Sequence, residues 1–160
     1  MTVLTAITAR INRVLPEVPG KITRHTPAPV MKVFLNTAVN HLLQKERTTG
    51  ELDFLKGHTA AVVIKDLDFS FSMTLVNNRL NITTPAQPAD ATLKSDQASM
   101  LAILHGEVDP DTLFFRRKLL ITGDTELGLY IKNLIDTINL TERIPAPLMK
   151  FLTRIHQNSI

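Results

Sequence analysis

The sequence predicts an α+β fold in which helices cover one mostly antiparallel five-stranded sheet. Three observations carry that reading: a proline-led helical segment starting near Thr26, an alternating block from Thr59 to Leu93 broken at Asn77-Asn78, and a strand-to-helix corner at Gly123-Asp124. With 160 residues, 44% hydrophobic and 21% charged, the chain has the size and balance of one domain with a real core.

Leu4, Ile7, Ile11, Val14 and Leu15 recur at helical spacing opposite Thr5, Thr8, Asn12 and Arg13, which predicts a short amphipathic helix closed by Pro16. The stretch PEVPGKITRHTPAP is too rich in proline to be regular and reads as a linker. Thr26 is placed to cap a second helix with Pro27 in its first turn, and Val30, Val33, Phe34, Thr37, Ala38, His41 and Leu42 are expected to form its buried face before Gly50 stops it. Beyond Gly57 the period changes. Thr59 to Ile64 is a compact β-branched run, and Leu67, Phe69, Phe71, Met73 and Leu75 then alternate with Asp68, Ser70, Ser72 and Thr74. Asn77-Asn78 supplies a tight turn into a return strand through Leu80 and Ile82.

Ala89, Ala91 and Leu93 predict a further strand, and Ser95 or Asp96 caps a helix through Met100, Leu101 and Leu104 that His105-Gly106 ends. Asp109-Pro110-Asp111 begins a single helical turn carrying Phe114 and Phe115. Leu119 to Ile121 is a short strand, and Asp124 caps a helix whose inner stripe is Leu127, Ile131, Leu134, Ile135 and Ile138. Gly128 interrupts that helix at a cost of about 1 kcal/mol relative to alanine, which points to something packing closely there. A last short helix is expected near Pro147 to His156. The organisation read from this is a basic N-terminal helix and linker over residues 1–26, a domain over 27–140, and a short C-terminal helix within 141–160.

Charge is unevenly spread. Met1 to Lys32 carries +4, Val33 to Leu140 carries −3, and the remaining tail carries +2, for a total of +3. Basic ends favour anionic partners, nucleic acid or a phospholipid surface. The first 32 residues contain no Phe, Tyr or Trp to stack on bases, which argues against nucleic acid. Arg10 and Arg13 interrupt what would be a signal-peptide core, and no apolar run approaches the roughly 20 residues needed to span a bilayer. The expectation is a cytoplasmic protein, with peripheral contact to the inner membrane as an option.

Nothing in the sequence looks catalytic. Cysteine is absent, which removes disulfides, thiolate metal sites and a thiol nucleophile. There is no nucleophile elbow, phosphate loop or dinucleotide fingerprint, and His25, His41, His58, His105 and His156 lack ligand spacing. The carboxylate pairs Asp66 with Asp68 and Asp109 with Asp111 are explained by a strand flank and a helix start. Neither an enzyme, a cofactor nor a metal is expected.

The order of elements, with ADATLKSDQASMLAILHGEVDP and the strand KLLITGD feeding a helix, resembles the sterol carrier protein type-two family. Within it, GELDFLKG and DPDTLFFRRKLLITGDTELGLYIKNLIDTINL are similar to the UbiT branch, bacterial accessory factors of oxygen-independent ubiquinone biosynthesis. The resemblance covers roughly residues 27–140 and is strongest in its last third. It implies a curved sheet and helices enclosing an apolar tunnel, and a non-catalytic protein that holds isoprenoid quinone intermediates or phospholipid. It also implies as partners the paired iron-sulfur hydroxylase proteins and other enzymes of the pathway. The physical need is plain: a polyprenyl tail exposing several hundred Å² to water costs on the order of 10 kcal/mol.

Candidate tunnel residues are Phe69, Phe71 and Met73 on the sheet, Leu101 and Leu104 on the third helix, Phe114 and Phe115 at the turn, and Leu127, Ile131, Leu134 and Ile138 on the long helix. Each has a plain alternative as core packing. Adjacent Phe114 and Phe115 cannot both point the same way, so one of them meets a cavity mouth, a ligand or a membrane. Leu4, Ile7, Arg10, Ile11 and Arg13 either dock on the domain or dip into the membrane interface, and Arg116, Arg117 and Lys118 are candidates for headgroup contact. The competing reading is an interaction scaffold at the membrane surface whose cavity has filled.

Overall fold

The computed structural model describes residues 28–144, 146 and 150. The expectations for the helix through Leu4, Ile7 and Ile11, for the cap at Thr26, and for the helix near Pro147 to His156 lie outside the described residues. Within them the element order is α1 (Ala28–Leu42), α2 (Gln44–Thr49), a 3-10 turn (Asp53–Leu55), β1 (Ala60–Ile64), a second 3-10 turn (Lys65–Leu67), β2 (Phe69–Val76), β3 (Arg79–Thr83), β4 (Ala91–Ser95), α3 (Gln97–Leu104), α4 (Pro110–Phe115), β5 (Leu119–Gly123), α5 (Thr125–Thr137) and α6 (Leu140–Arg143).

The sheet has the order β3-β2-β1-β4-β5. β1, β2 and β3 form the expected antiparallel meander, closed between β2 and β3 by Asn77 and Asn78 at φ 49° and 58°. That pair of positive values matches the right-handed strand twist and is tolerated by asparagine. β4 runs parallel to β1 and β5 antiparallel to β4. To reach that position the chain after β3 crosses the outer side of β2, where the hydroxyls of Ser70 and Ser72 accept from the amides of Ala86 and Gln87 at 3.0 and 3.1 Å. These serines occupy the alternate, non-core positions of β2, and the crossing buries Ser72.

The three helices read from cap residues start where expected. Asp96 accepts from the Ser99 amide at 2.7 Å, Asp109 from Thr112 at 2.8 Å and Asp124 from Leu127 at 3.0 Å. α3 has a second acceptor at its start, because Asp66 reaches across from the 3-10 turn to the Gln97 amide at 2.8 Å. That bond gives Asp66 its structural use. Gly128 is buried on α5 beside β5, and a β-carbon there would overlap the Ile121 methyl group Cγ2. The close packing read from the sequence is therefore helix α5 against β5. Gly128→Ala is expected to lower stability by about 1 kcal/mol, since overpacking of about 1–3 kcal/mol exceeds the gain in helix propensity. A thermal melt checks this, and an unchanged or raised melting temperature would show that Ile121 rotates away freely.

α1 differs from expectation. Its inward residues are Leu35 and Val39, with Leu43 just beyond its end, while Val33 is 62% exposed and Val30 is also exposed. The cause is polar. Asn36 donates to the Ile82 carbonyl at 3.1 Å and accepts from its amide at 2.9 Å, and Asn40 does the same at Leu80, at 2.7 and 2.9 Å. One helical turn apart, the two amides match the spacing of outward-facing backbone groups on β3, and so they occupy a sheet edge that would otherwise stand open. Holding both asparagines against β3 turns Val30 and Val33 outward and leaves Phe34 partly buried.

Two ion pairs fasten helices to one another. Lys132 on α5 is 4% exposed and donates to Asp111 on α4. Glu46 on α2 is 3% exposed and accepts from Arg143 on α6 at 2.7 Å, while Arg143 also donates to the Leu42 carbonyl at 2.9 Å.

Candidate lipid-binding site

Strand register sets the floor of the site. Val62 lies opposite Phe71 on β2 and Leu93 on β4, and Ile64 lies opposite Phe69 and Ser95. Alternation therefore places Val62, Phe69 and Phe71 on the same covered face as Met73 and Leu93. Met73 and Leu93 are buried, yet Val62, Phe69 and Phe71 remain only partly so. Ile64, Ser95 and Leu119 in the same end row are buried, so the cover is incomplete at Val62, Phe69 and Phe71 and not across the whole end of the sheet. The rings of Phe69 and Phe71 sit 6.1 Å apart and tilted by 46°, a packed aromatic pair on an unsealed floor.

Next to that end of the sheet is α3, which follows β4 directly, is apolar from Met100 to Leu104 and contributes Ile103 to the main core cluster. It contacts the Lys65–Leu67 turn, where the Asp66 bond holds its first residue. Burial pushes the Asp96 carboxyl up, but the Ser99 amide and hydroxyl and the charges of Lys118 and Lys65 outweigh it and hold the group below its ordinary range. A charged carboxylate thus anchors the start of the helix. Leu101 and Ile103 are buried, whereas Leu104 and Met100 are partly exposed.

The candidate residues divide into groups. Met73, Leu127 and Ile131 belong to the main core cluster, and Phe71 and Leu134 pack against its border. Leu101 and Ile138 are buried outside that cluster. Phe69, Leu104 and Phe114 are partly exposed. Phe115 is 80% exposed and projects away from the interior, its ring edge-on to Phe114 at 5.8 Å and 70°. Arg116, Arg117 and Lys118 are all exposed beside it. Val62 was missed by the sequence reading, because a valine inside a β-branched run gives no sign of being less covered than its neighbours.

A separate open depression of about 490 Å³ lies at the junction of α1, α2 and α6, lined by His41, Leu42, Gln44, Lys45, Thr48 and Arg143. Its lining is mostly polar and cationic, unlike the apolar group of Val62, Phe69 and Phe71. Among the described residues no helix is long and apolar enough to cross a membrane.

The SCP-2 sterol transfer family model matches residues 38–136, which takes in every strand, α2 to α4 and all but the last residue of α5. The chain belongs to the SCP-2 sterol transfer family. It is 35% identical to the ubiquinone biosynthesis accessory factor UbiT of Escherichia coli strain K12 over 152 residues, covering 95% of this chain and 86% of the relative. The same identity and coverage hold for UbiT of Escherichia coli O157:H7. The UbiT-like resemblance read from residues 27–140 is therefore borne out, and it extends over a longer stretch than the motifs marked. Among solved structures, a UbiJ-SCP2 ubiquinone synthesis protein superposes with TM-score 0.54 at 19% identity, over 81% of this chain and 100% of that one. The sterol carrier protein domain 2 of Helicoverpa armigera gives 0.51 at 16% identity, over 71% and 91%. These structural likenesses establish the SCP-2 fold, as expected: α+β, with a mostly antiparallel five-stranded sheet.

Proposed function

We propose that this SCP-2 domain is a non-catalytic accessory factor of ubiquinone biosynthesis, which holds an isoprenoid quinone intermediate or a phospholipid between the Val62–Phe69–Phe71 floor and α3. It presents the head of that lipid to the pathway enzymes, including the paired iron-sulfur hydroxylase proteins of the oxygen-independent route. The observation that carries the reading is the incomplete burial of three apolar side chains on the covered face of β1 and β2. Exposed apolar area at such a place is the natural seat for an apolar chain, whose transfer from water contributes about 25 cal/mol per Å². The names of the UbiT relatives support the pathway, and the SCP-2 family supports the lipid.

Organic extraction and native mass spectrometry of the purified protein test it. A co-purifying quinone or phospholipid is the expected result, and Phe71→Trp, which enlarges the floor residue, should expel it while leaving the melting temperature within a few degrees. A lipid-free protein, or lipid content unchanged in Phe71→Trp and in a Val62→Phe variant, would sink the carrier reading and leave the scaffold.

A further inference from the structure

We infer that the turn from Phe115 to Lys118, with Lys65 beside it, is a docking surface for an anionic phospholipid bilayer, and that docking there turns the unsealed end of the Phe69–Phe71 floor toward the membrane. The inference rests on the carrier reading for its purpose but not for its test.

The first support is the exposed pair of chemistries. Phe115 offers water an almost bare ring braced by Phe114, and three consecutive exposed cations follow it. An aromatic ring at the acyl boundary with cations at phosphate level is the arrangement that an interfacial anchor requires. One projecting ring is a poor footprint for a protein partner, which buries about 800 Å² a side.

The second support is backbone strain. α4 ends in a Schellman motif: the Lys118 amide donates to the Leu113 carbonyl at 2.8 Å and that of Arg117 to Phe114 at 3.0 Å. Arg117 therefore sits at φ 57°, in the left-handed region where glycine is preferred. α3 ends in the same motif, through Glu107 to Ala102 and Gly106 to Ile103, and there the left-handed position at φ 70° is glycine. Arginine at the equivalent place on α4 sets a cation at the apex of the turn against local preference, the kind of outlier that function maintains.

Register supplies the orientation. Ile64, Phe69, Ser95 and Leu119 align across β1, β2, β4 and β5, so the Lys65 turn, the start of β2 and the Phe115–Lys118 turn share one end of the sheet. The acids at that end are Asp66, Asp68 and Asp96. Asp66 and Asp96 are turned onto the amides of Gln97 and Ser99, and exposed Asp68 lies at the start of β2, so the Phe115 turn itself carries only the cations Arg116, Arg117 and Lys118.

The test is sedimentation of the full-length protein with vesicles of phosphatidylcholine alone or mixed with phosphatidylglycerol. Wild type is expected to sediment with the mixed vesicles only, and less so as salt is added. Phe115→Ser and the double variant Arg116→Glu/Arg117→Glu should each lower the bound fraction roughly tenfold. Arg117→Gly should bind more weakly while melting at a higher temperature, a combination that a merely structural residue would not give. Extracted lipid measured on the same samples should be unchanged, which separates docking from carriage. The inference is overturned if wild type ignores the mixed vesicles, or if the turn variants sediment like wild type, including the case in which only Ile7→Glu abolishes binding.

Discussion

Gly123→Ala is expected to cost about 3–5 kcal/mol, enough to threaten the fold of a domain with ordinary stability. Gly123 has φ +84°, and a β-carbon there would overlap the Asp90 carbonyl oxygen while lying 3.2 Å from its carbon and 3.4 Å from the Ala91 α-carbon. At Gly128 the neighbour is the Ile121 side chain, whereas here the neighbours are backbone. They are also held in place: the Asp90 carbonyl accepts from the Asp124 amide at 2.7 Å, the Asp90 amide donates to Thr59 at 2.8 Å, and the Asp90 carboxylate accepts from the Thr59 amide at 2.7 Å. Strain at positive φ of about 1–3 kcal/mol therefore adds to overpacking of similar size. Chemical denaturation measures the loss, and a change below about 1 kcal/mol would show that the β4–β5 corner relaxes as a unit.

That corner also shows how far the sequence could be read. Gly123-Asp124 was visible as a strand end and a cap because both devices are local: a residue free at positive φ and a carboxylate three residues before the amide it accepts from. The same locality made Asn77-Asn78, Asp109 and Asp96 legible. Helix α1 was legible as a helix but not in its rotation. Two sets of side chains compete for its inner face, and the winner is decided by hydrogen bonds from Asn36 and Asn40 to a strand about 40 residues away. Periodicity weighs apolar side chains and is blind to an amide that matches a strand edge. Lys132 and Glu46 were missed for a related reason, since each is buried only because a distant partner, Asp111 or Arg143, neutralises it.

The candidate site was legible in part, and the limit is again physical. Alternation correctly puts Phe69, Phe71 and Met73 on one face, but the pattern records which way a side chain points, not how closely the opposite layer approaches. Phe71 and Met73 are equivalent by period. One borders the core cluster and stays partly exposed while the other belongs to it, a difference set by the opposite layer and not by the period. Phe114 and Phe115 were separable in principle, since adjacent positions on a helical turn diverge, although which of the two faces outward depends on where α5 lies.

Arg143→Met is expected to cost about 2–3 kcal/mol at neutral pH, with a loss that shrinks in acid. The Arg143 guanidinium hydrogen bond holds the Glu46 carboxyl below its ordinary value, against a burial that pushes it up. A folded pKa lower than the unfolded one, near 4.3, means that the pair's contribution is complete above that value and is lost as pH falls through the folded pKa. Without Arg143 the buried carboxylate keeps its desolvation cost and loses its partner, so its pKa shifts upward instead, and protonation then relieves the variant while it harms wild type. The two stability curves should therefore converge below about pH 4. The double variant Glu46→Leu/Arg143→Met separates charge from contact: with no buried carboxylate left over, it should recover most of the loss at neutral pH. Urea unfolding of the three variants across the acid range decides the matter. A gap between wild type and Arg143→Met that stays constant with pH would mean that Arg143 matters through its bond to the Leu42 carbonyl and its packing, and that the charge on Glu46 contributes little.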